Sequence, residues 1–400
     1  MRKLLPLALC IVLVTGTDIA HAAEAAATQS SSAGGEQPPP PPPVGGIDIK
    51  GVLKESFLYE TNPLLRTSDT HPLYGSITSP EMILSGATPT TNFNADARVD
   101  ENLFNQTMFN STDLHAKAGV TRTMQRWSAG LNGKIDYDTT RTSELSTYGF
   151  IASPVRHTGE SVTPKISYNL SPSEKLSLTG VYRASQYSGS LYTDYDVFSV
   201  TPTYSRAFDP LDTGTFSVQA QRYETTSGAR NVTDTIGPSV GWRRILTPRL
   251  TADASVGIQA VRNYIAGSAS QPWGLQYDFL AALTYKGDRD TAALTASRNE
   301  YPFGNGTEAM LTSFEVKGSH ELNDRFAFQG AASYRYTDYR FTGTGNLESM
   351  TEGKIGLAYH LTDHLDIVTS YRYRHETLTG LAQTAQDHAG LVTLAYRLGT

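Results

Sequence analysis

The chain has almost no cysteine, no long apolar run and little net charge, and each scarcity removes a class of protein. Its one cysteine, Cys10, lies in the apolar stretch that follows the N-terminus. Once that stretch is cut away, neither a disulfide framework nor thiolate chemistry is available. Beyond it no apolar run reaches the length of a helical membrane span, and mean hydropathy is −0.33. This argues against a helical membrane protein but not against a barrel, whose strands hide their apolar face in alternation. With 33 basic and 39 acidic residues and a net charge of −6, the balance gives no footing for nucleic-acid binding. Catalytic motifs are scarce too: there is no Gly-x-Ser-x-Gly elbow and no phosphate loop. Gly343-Thr344-Gly345 begins like a dinucleotide fingerprint, but Glu348 stands at the third glycine position. His360 and His364 flank Asp363 with Asp366 nearby, yet a hairpin tip does not place i and i+4 on one face as a helix does. Neither an enzyme activity nor a cofactor or metal site is expected.

What is present starts with an export signal. Met1-Arg2-Lys3 is basic, Leu4 to Val14 is apolar, and Ala20-His21-Ala22 is a small-x-small cleavage site. Residues 1–22 are expected to be a signal peptide cut before Ala23. A lipoprotein reading fails because Leu9, not a small residue, precedes Cys10. Residues 23–45 are rich in Ala, Ser and Pro, with six consecutive prolines from Pro38 to Pro43. They are expected to form a disordered periplasmic leader whose proline run is an extended spacer; a ligand for a periplasmic partner is the alternative.

Residues 46–400 are written in period two. Trp127-Ser-Ala129-Gly-Leu131-Asn-Gly133-Lys-Ile135-Asp-Tyr137 puts apolar or small residues on one face and Asn132, Lys134 and Asp136 on the other. Phe326 to Tyr336 and Leu365 to Tyr373 repeat the pattern, and segments run about ten to sixteen residues. Soluble sandwich strands usually stop at five or six. Compact turns such as Pro172-Ser173-Glu174, Pro210-Leu211-Asp212 and Asp324-Arg325 alternate with looser segments such as 61–76, 142–156 and 303–307. Eight tight turns and nine looser connections predict an all-β, transmembrane antiparallel barrel of 18 strands, with 16 the competing count. Both ends of the barrel then fall on the short-turn, periplasmic side of the outer membrane, and the 22 tyrosines suit aromatic girdles. Its expected partners are outer-membrane lipid and the machinery that assembles barrels.

Phase separates the two faces. Leu131, Ile135, Val256, Phe279, Phe328, Ala332 and Ile367 fall outward. Asn132, Lys134, Asp136, Asp253, Gln259, Arg335 and Arg372 fall inward and are the candidate lumen-lining residues. Such a mixed wall suits small polar solutes with weak charge preference. The segment 142–156 is the third outer loop, and either folds into the lumen or stands as an exposed tip. Pro80, Pro164, Pro202 and Pro238 stand inside strand patterns; because proline cannot donate to a ladder, they are expected at or above the outer rim, in a bulge or fray.

Phe57-Leu58-Tyr59-Glu60-Thr61-Asn62-Pro63-Leu64 and Ser79-Pro80-Glu81-Met82-Ile83-Leu84 together resemble the opening of the beta-barrel porin type 2 family. The resemblance implies an exported outer-membrane barrel without catalytic residues, and links some relatives to exopolysaccharide production. The chain departs from the usual barrel ending, closing on Leu398-Gly399-Thr400 without a terminal aromatic. Two functions remain open: a porin-like channel for small polar solutes, or a structural or export component of an exopolysaccharide system that serves a polysaccharide or a periplasmic export partner.

Overall fold

A computed structural model describes residues 46–145, 153–189, 191–265, 271–338, 347–378 and 383–398. The expected signal peptide and leader, residues 1–45, lie outside these residues. Eighteen strands follow one another: β1 (Ile47–Glu60), β2 (Leu73–Ala87), β3 (Thr91–Phe104), β4 (Ser111–Thr123), β5 (Trp127–Thr139), β6 (Arg156–Ser171), β7 (Glu174–Tyr187), β8 (Tyr195–Ala207) and β9 (Asp212–Thr225). The second half comprises β10 (Asn231–Thr247), β11 (Leu250–Ile265), β12 (Gly274–Lys286), β13 (Asp290–Phe303), β14 (Thr307–Glu321), β15 (Phe326–Asp338), β16 (Leu347–His360), β17 (Leu365–Leu378) and β18 (Gln383–Leu398). Each strand pairs antiparallel with its sequence neighbours, and β1 pairs with β18, so the sheet closes and leaves no edge. The strand count, the eight short turns and the alternation with longer loops agree with the sequence reading.

Closure fixes which face each residue takes, because residues opposite one another across a ladder share a face. The row Val240, Val256, Phe279 runs along the outside, with Val240 and Val256 more than half exposed in the isolated chain. Trp127, Tyr168, Trp242 and Tyr396 form an outer girdle near the short turns, and Tyr59, Tyr74, Tyr182 and Tyr277 one near the loops. An apolar jacket between two aromatic belts is the surface that a bilayer requires.

The prolines depart from expectation. Pro80, Pro164, Pro202 and Pro238 sit in mid-strand on the outer face. Each keeps a partner on one neighbouring strand: Leu53, Leu131, Leu178 and Val218 respectively. On the other side the ladder skips two pairs and resumes in the same register, as between Val200–Ala220 and Thr203–Ser217. No bulge or fray is needed. The missing N–H costs one local interruption, and fourteen or so other ladder positions on the strand hold it in place.

Candidate functional site: the barrel interior

An 18-stranded barrel encloses a lumen too wide for wall side chains alone to fill. Toward the loop end, three inward-folded pieces occupy it.

The first is the connection after β1. Asn62 closes a small ring: its Oδ1 accepts from the Arg66 N–H at 2.9 Å and its Nδ2 donates to the Arg66 carbonyl at 2.8 Å. Its own N–H donates to Asp387 Oδ1 of β18 at 3.0 Å. This turn pushes Leu64 and Leu65 inward, where they are buried with Leu73, Phe104, Phe109 and Leu145. Leu65 adopts φ 48°, a left-handed conformation that a branched side chain takes only when its packing compensates.

The second piece begins the third outer loop. Thr140–Ser143 makes one helical turn, and Arg141 donates to Glu60 of β1 at 2.5 Å while lying over the Phe104 and Phe109 rings. Arg372 of β17 bonds the other Glu60 oxygen and also reaches Asp387 at 3.2 Å. Glu60 therefore ties the third loop to the first. Glu144 follows, buried, and accepts from the Tyr187 hydroxyl at 2.5 Å. Burial raises the Glu144 carboxyl above its usual range, against the pull of the nearby His157 and of the Tyr187 hydrogen bond. Residues 140–145 thus point inward as one of the two loop alternatives required; 146–152 lie outside the described residues.

The third piece was not visible in the sequence. β13 stays paired with β12 only as far as Arg298–Phe279, although β12 itself continues to Gly274. Beyond that point β13 leaves β12 and, still paired with β14, runs inward as a hairpin that reaches β9 and β10. Glu308 Oε1 accepts from Gln221 Nε2 of β9 at 3.1 Å, and Glu300 Oε2 accepts from Thr235 of β10 at 2.6 Å. Phe303 and Tyr223 are fully buried there. At the tip, the Thr193 N–H donates to the Gly304 carbonyl at 2.8 Å and Asn231 Nδ2 to that of Gly306 at 3.0 Å. Gly304 has no room for a side chain, since a Cβ would lie 2.9 Å from the Tyr187 hydroxyl and from the Tyr192 ring. Gly306 carries φ 83°, which makes glycine the natural residue at this turn.

The expected inward residues fall into different surroundings. Asn132 and Lys134 are exposed on the inner face of β5, and Asp136 beside them bonds His115 at 2.8 Å and Lys134 at 3.1 Å. Asp253 lies 3.8 Å from Arg243. Gln259 is buried and accepts from Gln276 at 3.4 Å, below the infolded hairpin. Arg335 is buried on β15, and Arg372 belongs to the Glu60 network. Only the β5 residues stand together. Burial increases along β5 from exposed Asn132 to buried Asp138, so the interior is open toward the short turns and packed toward the loops. His360, considered above with His364, pairs through Nδ1 with Asp366 at 2.6 Å, and Asp366 also binds Arg397.

Among solved structures, the chain is similar to the copper transporter OprC, with a TM-score of 0.50 at 9% identity over 88% of this chain and 65% of that one. It thus spans less than two thirds of that transporter's length. It also aligns with Pseudomonas aeruginosa OpdO (TM-score 0.47, 8% identity, 89% and 98% of the two chains). A third alignment is with the outer membrane channel DcaP of Acinetobacter baumannii (TM-score 0.44, 12% identity, 88% and 97%). At these identities the likeness concerns the fold. No family model and no curated protein matches the chain, so the resemblance to the type 2 porin family rests on the two quoted segments alone. The closed 18-stranded sheet, its apolar jacket and its aromatic girdles make the protein an outer-membrane barrel of porin-like architecture.

Proposed function

We propose that the barrel is a channel for small polar solutes, shut on its outer side by the β13–β14 hairpin and opened when that hairpin withdraws. The observation that carries this reading is the cross-lumen contact between Glu308 and Gln221, which a purely structural barrel would not need. The arm itself is tied to the wall by hydrogen bonds from Gln221, Thr235, Thr193 and Asn231, around buried Phe303 and Tyr223. Such an arm can return to the wall by pairing β13 again with the 274–278 end of β12, and doing so requires no strand of the barrel to be broken. Below it the inner face of β5 offers exposed polar side chains to water. Solute passage needs both parts: a wetted vestibule and a barrier that can move.

The test is conductance. Purified protein in planar bilayers should show brief, infrequent openings, and liposomes containing it should admit small sugars slowly. A variant lacking residues 300–309, closed by a two-glycine turn, should conduct steadily and admit the same sugars faster. Absence of conductance from both proteins, in bilayers where an unrelated porin conducts, contradicts the channel reading.

A further inference from the structure

The exposed charge on the inner wall is of nearly one sign. Among the described residues, the charged inner-face side chains that are exposed are lysines, with Glu321 the lone acid among them. Most inner-face acids nearer the loops are engaged: Asp136 with His115 and Lys134, Glu81 with Lys54, Glu60 and Asp387 with Arg372; Asp278 is only partly exposed, and Asp96 stands opposite Lys117 on β3. Lys117 of β4 and Lys134 of β5 stand directly opposite one another across their ladder. Lys165 follows on β6, opposite Gly130. Lys117 and Lys165 make no ion pair with a described residue, and Lys134 shares Asp136 with His115. Lys317 lies on β14, nine strands round the ring from β5 and so on the facing wall, also without an ion pair among the described residues.

Two lysines placed opposite each other on a sheet repel, and adjacent like charges are destabilising. Asp96, opposite Lys117 on its other side, offsets part of this repulsion, but no acid on the ladder faces Lys165, whose partners are Gly130 and Thr179. A passing anion gains from the arrangement, because it neutralises several ammonium groups at once inside a low-dielectric tube, where charge is felt more strongly than at an open surface.

We infer that the vestibule selects anions, small carboxylate- or phosphate-bearing solutes, through Lys117, Lys134 and Lys165 on one wall and Lys317 on the other. This rests on the channel reading, and it replaces the weak charge preference that the alternation of acids and bases in the sequence implies. Each lysine presents a mobile point charge rather than a rigid fork, so the wall attracts anions without fixing their shape. The wall is a selectivity surface and not a closed binding pocket.

The experiment is reversal potential under a KCl gradient across planar bilayers, on the wild type and on the triple variant Lys117→Gln/Lys134→Gln/Lys165→Gln. The wild type should favour chloride over potassium severalfold, and the variant should lose most of that preference at similar conductance. Addition of inorganic phosphate should reduce the wild-type chloride current and leave that of the variant unchanged. Heat-modified gel mobility confirms that the variant is assembled; should it not assemble, the single variant Lys165→Gln, which breaks no ion pair, supplies the same readout with a smaller shift. A conducting wild type that is unselective or prefers potassium overturns the anion inference and leaves the channel reading intact. An assembled variant with unchanged selectivity overturns the assignment to these lysines. No conductance from the wild type or from the hairpin deletion overturns the channel reading and this inference with it.

Discussion

At the scale of single residues, phase decides consequence. Val256 faces lipid in mid-strand and Ser255 beside it faces the lumen. Val256→Lys should cost about 2–4 kcal/mol of barrel stability and Ser255→Lys close to none, a difference readable as urea midpoints of folding into lipid vesicles. Ile367 is a milder site than its outward phase alone implies, because it lies two residues from the short-turn end of β17, where charge costs about 0–1 kcal/mol. Equal midpoints for the Val256 and Ser255 variants contradict the assigned faces.

Glu144 adds a pH dependence at the same scale. Its carboxyl is raised from 4.5 by burial, so docking of the third loop binds protons. The sign follows from linkage: this contribution to docking is complete below about pH 4.5 and is lost as pH rises through the raised value. The docked fraction of the third loop should therefore fall with rising pH above that point, readable as trypsin cleavage at Arg141. Glu144→Gln, which still accepts from the Tyr187 hydroxyl, should flatten that part of the profile. An unchanged profile for the variant separates loop docking from Glu144 ionisation.

At the scale of elements, inserted loops behave as small cores. Leu65 is fully buried in the first outer loop, and Leu65→Ala should weaken its docking by about 2–5 kcal/mol. Arg66, whose backbone Asn62 clasps, should then become a trypsin site on intact outer membranes, whereas the wild type resists cleavage there. The strands themselves were legible because alternation, tight-turn residues and even count are local signals. The infolded hairpin was not, since its Gly-rich segment 303–307 reads as an ordinary loop and the flanking residues say nothing about which sheet the strand still belongs to. A trace existed: Glu300 and Glu308 lie on the outward phase of β13 and β14, where a membrane strand should be apolar. Glu101 and Glu160 lie on the same phase near the loop ends of strands that stay in the wall, so that trace alone does not identify the hairpin. The burial of Leu64 and Leu65 had a plainer signal, a Pro-Leu-Leu run inside a loop otherwise rich in polar residues. For the prolines, the sequence argument that a closed barrel has no edge is sound, but one skipped pair of ladder positions in a long strand is cheaper than displacing the residue to the rim.

At the scale of the molecule, a closed ladder resists heat and detergent until the ring opens as a unit. Unboiled protein should migrate differently from boiled protein in detergent gels, and its circular dichroism should be dominated by strand; a helical spectrum contradicts the fold. Of the candidate lumen residues, the sequence could identify face but not surroundings. Asn132 and Lys134 meet water, Gln259 and Arg335 are buried on the wall, and Arg372 is tied through Glu60 to the third loop; contacts of that range leave no mark on local alternation.

The central claim is that the β13–β14 hairpin closes the lumen and must move for solutes to pass. A Cβ placed on Gly306 lies 3.2 Å from that of Thr193, a few tenths of an ångström inside the roughly 3.5–4.5 Å that a disulfide spans, so a small outward shift of the tip, whose Gly306 carries φ 83°, accommodates the bridge. The most direct measurement is single-channel conductance of the Thr193→Cys/Gly306→Cys protein, oxidised and then reduced in the same bilayer. The oxidised form should be silent and reduction should restore openings; conductance that is the same before and after reduction, with the disulfide verified by mass, contradicts the account.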